Sequence, residues 1–283
     1  MPPRSRPTVR QARLGAELRK LREAAGMAAR EAGARLGGNQ AQISHIEAGR
    51  WGVSAERVRR LAEIYSASDK RLVDALCAMA EERVKGWWED YREVLGPGFL
   101  DIAELEHHAS YLRSVQIVTM PGIFQTEEYV RAIHTSRASV LPDDEVDGRV
   151  DFRLKRRSIF EREAPPSFVA LIHEAALRMR FGGRKVAKGQ LDYLAEVSHW
   201  PTVKLRVIPF TCEDFIEVDQ SLLYAGGVVP QLDTVHLDSP VGGVSIIDEV
   251  QLNRFGNLLD VAERASLSER ESRRLLHRVA SEL

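Results

Sequence analysis

The sequence is poor in cysteine. Cys77 and Cys212 are the only thiols in 283 residues, too few for a disulfide scaffold, and neither has zinc-ligand spacing to a partner. Long apolar runs are missing too: none approaches the roughly 18–20 residues that span a bilayer. The opening stretch Met1-Pro2-Pro3-Arg4-Ser5-Arg6-Pro7 is basic with no apolar segment behind it, which is not the pattern of a secretory signal. No repeat is visible. These absences predict a cytoplasmic protein in a reducing compartment, with no membrane contact, no metal and no cofactor. What is present is the mix of a globular chain, 44% hydrophobic and 29% charged, of a length for one large or two ordinary domains.

The net charge of −1 hides an asymmetry. Residues 1–70 hold 14 Lys+Arg against 7 Asp+Glu, whereas residues 71–283 hold 26 against 34. A basic first quarter on an acidic remainder suggests two jobs, and a positive surface attracts polyanions, of which nucleic acid is the commonest in the cytosol.

Residues 1–10 are expected to be a disordered basic tail, followed by five short helices. Leu14, Leu18, Leu21 and Ala25 form one apolar face over 12–25, ended by Gly26. An alanine-rich helix follows over 28–35, closed by Leu36-Gly37-Gly38. Asn39 is a good N-cap for a helix over about 40–48 with Ile43 and Ile46 inward, ended by Gly49. Ser54 caps a fourth helix that buries Val58, Leu61, Ala62 and Tyr65, and Ser68 or Asp69 caps a fifth. Two short helices joined by a glycine turn have the form of a helix-turn-helix. Asn39, Gln40, Gln42 and His45 are polar base-edge candidates for the major groove. Ala41 is available to a thymine methyl, and glutamine pairs with the adenine edge. Ser44, Arg50, Arg57 and Arg59 are candidates for backbone phosphates, with Arg60 beside them. The other reading of such a module is a dimerisation or peptide-docking domain with solvated arginines.

The run from Gly26 to Gly49, and above all Ile43-Ser44-His45-Ile46-Glu47-Ala48-Gly49, resembles the Xre, or lambda-repressor-like, helix-turn-helix. That resemblance implies a buried ion pair between Arg22 and Glu47, locking the first helix to the recognition helix. Ala28-Ala29 stand where the family usually has Thr or Ser and then Gln, which removes a helix cap worth about 1 kcal/mol. Ala32-Gly33 replace the usual Leu-Ala, and a glycine inside a helix costs roughly 0.5–1 kcal/mol. A weak second helix and modest DNA affinity are therefore expected.

Residues 71–98 are expected to be a connecting amphipathic helix from about Lys70 to Leu95, broken by Gly96-Pro97-Gly98. The trio Trp87, Trp88 and Tyr91 suits either core or an interface. Helices are then expected over 101–114, from Thr126, and over 143–163, 186–198, 248–265 and 268–280, with a short helical turn at 174–178. Strands are expected at 115–118, 167–172, 203–208, 221–225 and 234–237. The predicted architecture is an all-α N-terminal helix-turn-helix domain over 11–70 and a larger α+β domain over 99–283. Three blocks of the latter, Met120–Ala132, His173–Arg178 and Val203–Phe210, resemble a C-terminal domain of unknown function in actinobacterial regulators of the WhiJ type, or Scr-type antitoxin-like regulators. That resemblance implies a partner-binding or signal-receiving domain, commonly beside a small acidic protein, and carries no catalytic residues.

Enzyme readings find little support. His173-Glu174 lacks a named third group, and the spacing rules out a zinc deaminase. Glu213, Asp214, Glu217 and Asp219 lack the EF-hand pattern. Gly182-Gly183-Arg184-Lys185 lacks phosphate-loop spacing. His107-His108 point to different helix faces, Cys212 has no basic neighbour in sequence, and Gly226-Gly227 and Gly242-Gly243 read as hairpin turns. The expectation is a non-enzymatic, sequence-specific transcriptional regulator. Its expected partners are double-stranded DNA, a second copy in a homodimer, and a small acidic protein or small-molecule signal. An antitoxin-like protein that neutralises its partner and autoregulates is the alternative reading, and an enzyme with an attached DNA-binding domain is a remote one.

Overall fold

The computed structural model describes residues 7–82, 86–135, 141–213, 220–238 and 243–283. They divide into two compact units. The first holds the described residues up to Trp87 together with Val228–Leu232, and the second holds Trp88–Gly227 and Asp233–Leu283.

The first unit is built from α1 (Val9–Ala24), α2 (Ala29–Arg35), α3 (Gln40–Glu47), α4 (Ala55–Ile64) and α5 (Lys70–Glu81). The chain is helical earlier than a ten-residue tail allows. Thr8 caps α1 and Gln11 reaches back to the Thr8 N–H, a reciprocal capping box, so Val9 and Arg10 are helical; residues 1–6 lie outside the described residues. Asn39, Ser54 and Asp69 each accept a backbone N–H at the start of α3, α4 and α5. Leu18, Ile43, Val58, Leu61 and Leu76 form a fully buried core. Val229 is buried in the same cluster, Arg13 donates to the Gln231 carbonyl, and Gln231 donates to Asp69 at 3.0 Å.

The connector is not one helix. α5 ends at Glu81, a 3-10 turn runs over Trp87–Tyr91, and residues 83–85 lie outside the described residues. Gly96-Pro97-Gly98 opens a helix instead of breaking one: Gly96 is the N-cap of α6 (Pro97–His108) and Pro97 sits in its first turn. Proline has no N–H to lose there, and its φ suits a helix start. Trp88 is a core residue of the second unit, its ring 4.9 Å from that of His107.

The second unit carries a six-stranded mixed sheet in the order β3-β2-β1-β4-β5-β6. The strands are β1 (Tyr111–Gln116), β2 (Ser167–His173), β3 (Val203–Ile208), β4 (Leu222–Gly226), β5 (Thr234–Leu237) and β6 (Val244–Ile246). β1–β2 and β2–β3 are parallel, and the other pairs are antiparallel. Residues 111–114, expected in a helix, are strand because β1 is central, paired on both edges with Tyr111 opposite Ser167 and Gly226. β6 is three residues long, too short for alternation to reveal. The remaining helices are α7 (Glu127–His134), α8 (Asp143–Lys155), α9 (Glu174–Arg178), α10 (Arg184–Val197), α11 (Glu249–Ala265) and α12 (Glu269–Ser281). The helix expected to 163 stops at Lys155 and tightens into a 3-10 turn over Arg156–Glu161 that buries Arg156 and Ile159. β4 and β5 are not joined by a two-residue turn at Gly226-Gly227, since the connection contains a 3-10 turn at Pro230–Leu232. Gly242 lies outside the described residues.

One face of the sheet packs Leu112, Phe168, Ala170, Leu205 and Leu223 with Leu191 and Leu194 of α10 and Leu276 of α12. The other packs Val115, Leu171 and Leu222 with Leu259 and Ala262 of α11. The Met120–Thr126 segment is held by side chains. Gln125 Nε2 donates to the Met120 carbonyl at 2.7 Å. The Gln190 amide donates to Phe124 O and accepts from Thr126 N, both at 2.8 Å. Arg157 donates to the carbonyls of Ile123 and Gln125. These buried bonds satisfy backbone groups that no strand reaches.

Candidate nucleic-acid interface

α3 is held from below at two close approaches. A Cβ on Gly15 would lie 2.4 Å from the Glu47 carbonyl oxygen, and one on Gly33 would lie 2.5 Å from the Asn39 carbonyl carbon. Gly15 therefore lets α1 cross the end of α3, and Gly33 lets α2 meet its start. The helix-propensity cost expected of Gly33 is offset because a side chain there would push the two helices apart.

Arg22 and Glu47 form a fork. Nε to Oε1 is 2.6 Å and Nη2 to Oε2 is 3.0 Å, and Arg22 Nη1 also donates to the Met27 carbonyl at 2.7 Å. The two side chains are 10% and 8% exposed. The bond to Glu47 raises the Arg22 pKa, and burial together with the Glu47 charge pushes the Tyr65 hydroxyl up to about 12. This bidentate geometry ties α1 to α3. Ala28, at the start of α2, makes no side-chain cap.

Gln40, Ala41 and Ser44 are exposed on α3. Their spacing of i, i+1 and i+4 puts them on one outward face opposite buried Ile43 and Ile46. Asn39 is exposed beside them, with its Oδ1 accepting from Gln42 N at 3.0 Å. The other two base-edge candidates are used internally. Gln42 is half-buried and its carbonyl accepts from Arg57 Nη1 and Nη2, both at 3.2 Å, once its amide is turned to satisfy its neighbours. His45 is half-buried and stacks on Trp51, with centroids 5.0 Å apart and planes 22° apart.

The arginines separate too. Arg50 and Arg57 are exposed, and Gln42 directs Arg57 towards α3. Arg59 is two residues on, about 200° further round α4, where its charge opposes the burial-driven rise of the Cys77 thiol on α5. Arg57 and Arg59 do not share a side. Arg30, in the first turn of α2, is a further exposed cation that the motif did not single out; its exposure depends on how α2 packs. Among the described residues Arg30, Arg50, Arg57, Arg59 and Arg60 take part in no ion pair.

The groups considered for catalysis hold other positions. His173 Nδ1 accepts from Ala175 N at 3.1 Å as the cap of α9. Glu174 accepts from Phe210 N at 3.0 Å and from Arg178 at 2.7 Å. Burial opposes ionisation of Glu174, but the Phe210 N–H and Arg178 outweigh it and hold the carboxyl below its usual range. Asp214, Glu217 and Asp219 lie outside the described residues, among which no group of three His, Cys, Asp or Glu is placed to hold a metal ion. Nor is any described helix long and apolar enough to cross a membrane.

A short helix pair with an outward polar face, locked by an ion pair and flanked by arginines that form no ion pair among the described residues, defines the helix-turn-helix class. Comparison agrees, since a family model described as a helix-turn-helix domain matches residues 13–83. A second, described as a domain of unknown function (DUF5753), matches residues 99–278. That match covers more than half of the chain, which therefore belongs to the DUF5753 family. No curated protein and no solved structure matches the chain.

Proposed function

We propose that the protein is a sequence-specific DNA-binding transcriptional regulator that reads the major groove with α3. The observation that carries this reading is the outward face of Gln40, Ala41 and Ser44, held on α1 by the Arg22–Glu47 fork. Gln40 can pair with an adenine edge, Ala41 can meet a thymine methyl, and Ser44 can take a base edge or a phosphate. Asn39 and Arg50 are exposed at the two ends of α3, and Arg57, oriented by Gln42, supplies a phosphate contact. One recognition helix reads few base pairs, which supports a homodimer on two half-sites about one helical turn apart. Resemblance of the C-terminal domain to WhiJ-type regulators supports its receiving a small protein partner or a signal. Such a protein works in the cytoplasm, on the nucleoid.

The test is fluorescence anisotropy of the purified full chain on its own upstream DNA and on a scrambled duplex, across a salt series. Selective binding with a steep salt slope is expected. Equal, weak binding to both duplexes would overturn the reading.

A further inference from the structure

The second unit carries a stripe of arginines along α8 and the turn after it. Arg149, Arg153, Arg156 and Arg157 recur at i, i+4, i+7 and i+8, one side of a helix. Three have clear internal partners. Arg156 makes a buried fork to Glu106, at 2.7 and 2.5 Å. Arg157 donates to the Ile123 and Gln125 carbonyls and lies 4.7 Å over the Tyr193 ring. Arg149 pairs with Glu145 at 2.6 Å and lies 5.2 Å over Phe99.

Arg153 differs. Its hydrogen bond is to a neutral group, Gln125 Oε1 at 2.6 Å, and no carboxylate among the described residues stands within ion-pair distance of it. The negative charges that reach it are Asp238, which lies 3.5 Å from His236, and Glu106, which is committed to Arg156. Burial and the Arg156 charge push its pKa down to about 10. Arg153 as a residue is half-buried.

His134 is within reach of the Arg153 charge. Its Nδ1 lies 3.5 Å from Arg149 Nη1, and its Nε2 is buried without a partner. An arginine N–H facing Nδ1 makes Nδ1 the acceptor and leaves the ring proton on Nε2, a free donor.

We propose that Arg153 anchors a binding site for a small oxyanion, the carboxylate or phosphate group of a small molecule. A guanidinium offers parallel N–H groups to two oxygens, and the bond to Gln125 fixes its plane. A cation drawn out of water with no carboxylate of the described residues at ion-pair distance is costly, and an oxyanion supplies that contact. The charge of Arg149 also reaches Arg153, although Glu145 pairs it, and His134 lies within reach of both. A half-buried arginine suits the end of a small molecule better than a macromolecular surface. The inference goes beyond the DNA-binding reading and does not rest on it.

The experiment is isothermal titration of the full chain, without DNA and in low-chloride buffer, with inorganic phosphate, acetate and citrate in turn. Saturable one-to-one binding of at least one is expected. Arg153→Gln should weaken it by at least about tenfold, the loss of a charge-assisted pair, while Arg92→Gln, at an exposed pair with Glu89, should leave it unchanged. Binding of phosphate alone, or of acetate or citrate alone, identifies which oxyanion the site takes. Failure of all three to bind, or equal binding by Arg153→Gln, overturns the proposal. If Arg153→Gln does not fold, the wild-type proton spectrum decides. The His134 ring resonance, assigned by its loss in His134→Gln, must move on saturation, and a stationary resonance overturns the site.

Discussion

At the scale of single residues, α3 divides its polar side chains between reading and support. Gln40→Ala should weaken binding to the true operator by about 1–3 kcal/mol and relax preference at one position; anisotropy on single-base operator variants measures this. Arg57→Ala should lower affinity evenly over all duplexes and make the salt slope shallower by about one. Gln42→Ala acts through Arg57, so the pair should be non-additive in a double-mutant cycle. Adding Gln42→Ala to Arg57→Ala should cost little more, and full additivity would place Gln42 on a base. The type of these residues was legible in the sequence. Their division was not, because Arg57 and Trp51, which engage Gln42 and His45, reach them only through the fold.

At the scale of elements, caps and close approaches decide more than periodicity. α2 begins at Ala28 with no side-chain cap, so Ala28→Ser should add about 0.5–1 kcal/mol to unfolding stability in urea. Glu47→Ala should cost about 3–5 kcal/mol, because it leaves the buried Arg22 guanidinium without its counter-charge; the same unfolding measurement reads it. Cap residues such as Asn39, Ser54 and Thr126 announced their helices, since each side chain accepts a backbone N–H a few residues on. Residues 111–114 and the connector after Glu81 depart from the expected helices for a common reason. Apolar spacing there fits more than one local structure, and sheet pairing of Tyr111–Gln116 and burial of Trp88 choose between them.

At the scale of the whole molecule, charge and protonation set the conditions under which the protein works. Burial, with Arg153 and Arg149, holds the His134 ring down to about 4, from an ordinary value of 6.5. The folded ring refuses a proton that the unfolded chain accepts in that window. Its contribution is therefore fully present above pH 6.5 and is lost as the pH falls towards 4, on the order of 2–3 kcal/mol. Urea unfolding at pH 7 and pH 5 should show the decline, and His134→Gln should flatten it. For the assembly, light scattering is expected to find a dimer on DNA; a monomer both free and bound would remove that proposal.

The two-part organisation, the helix-turn-helix and most strands of the sheet follow from the order of residues alone. Those features are written in local signals: charge balance, cap residues, glycine turns and apolar period. Which polar groups remain available depends on long-range packing. Gln42 and His45 are engaged and Gln40 and Ser44 exposed, Arg57 and Arg59 stand on different sides of α4, and among the described residues Arg153 has no carboxylate partner such as Arg156 has. The physical reason is that a side chain's partners come from segments distant in the chain, as Glu106 does for Arg156 and Asp233 for Tyr111.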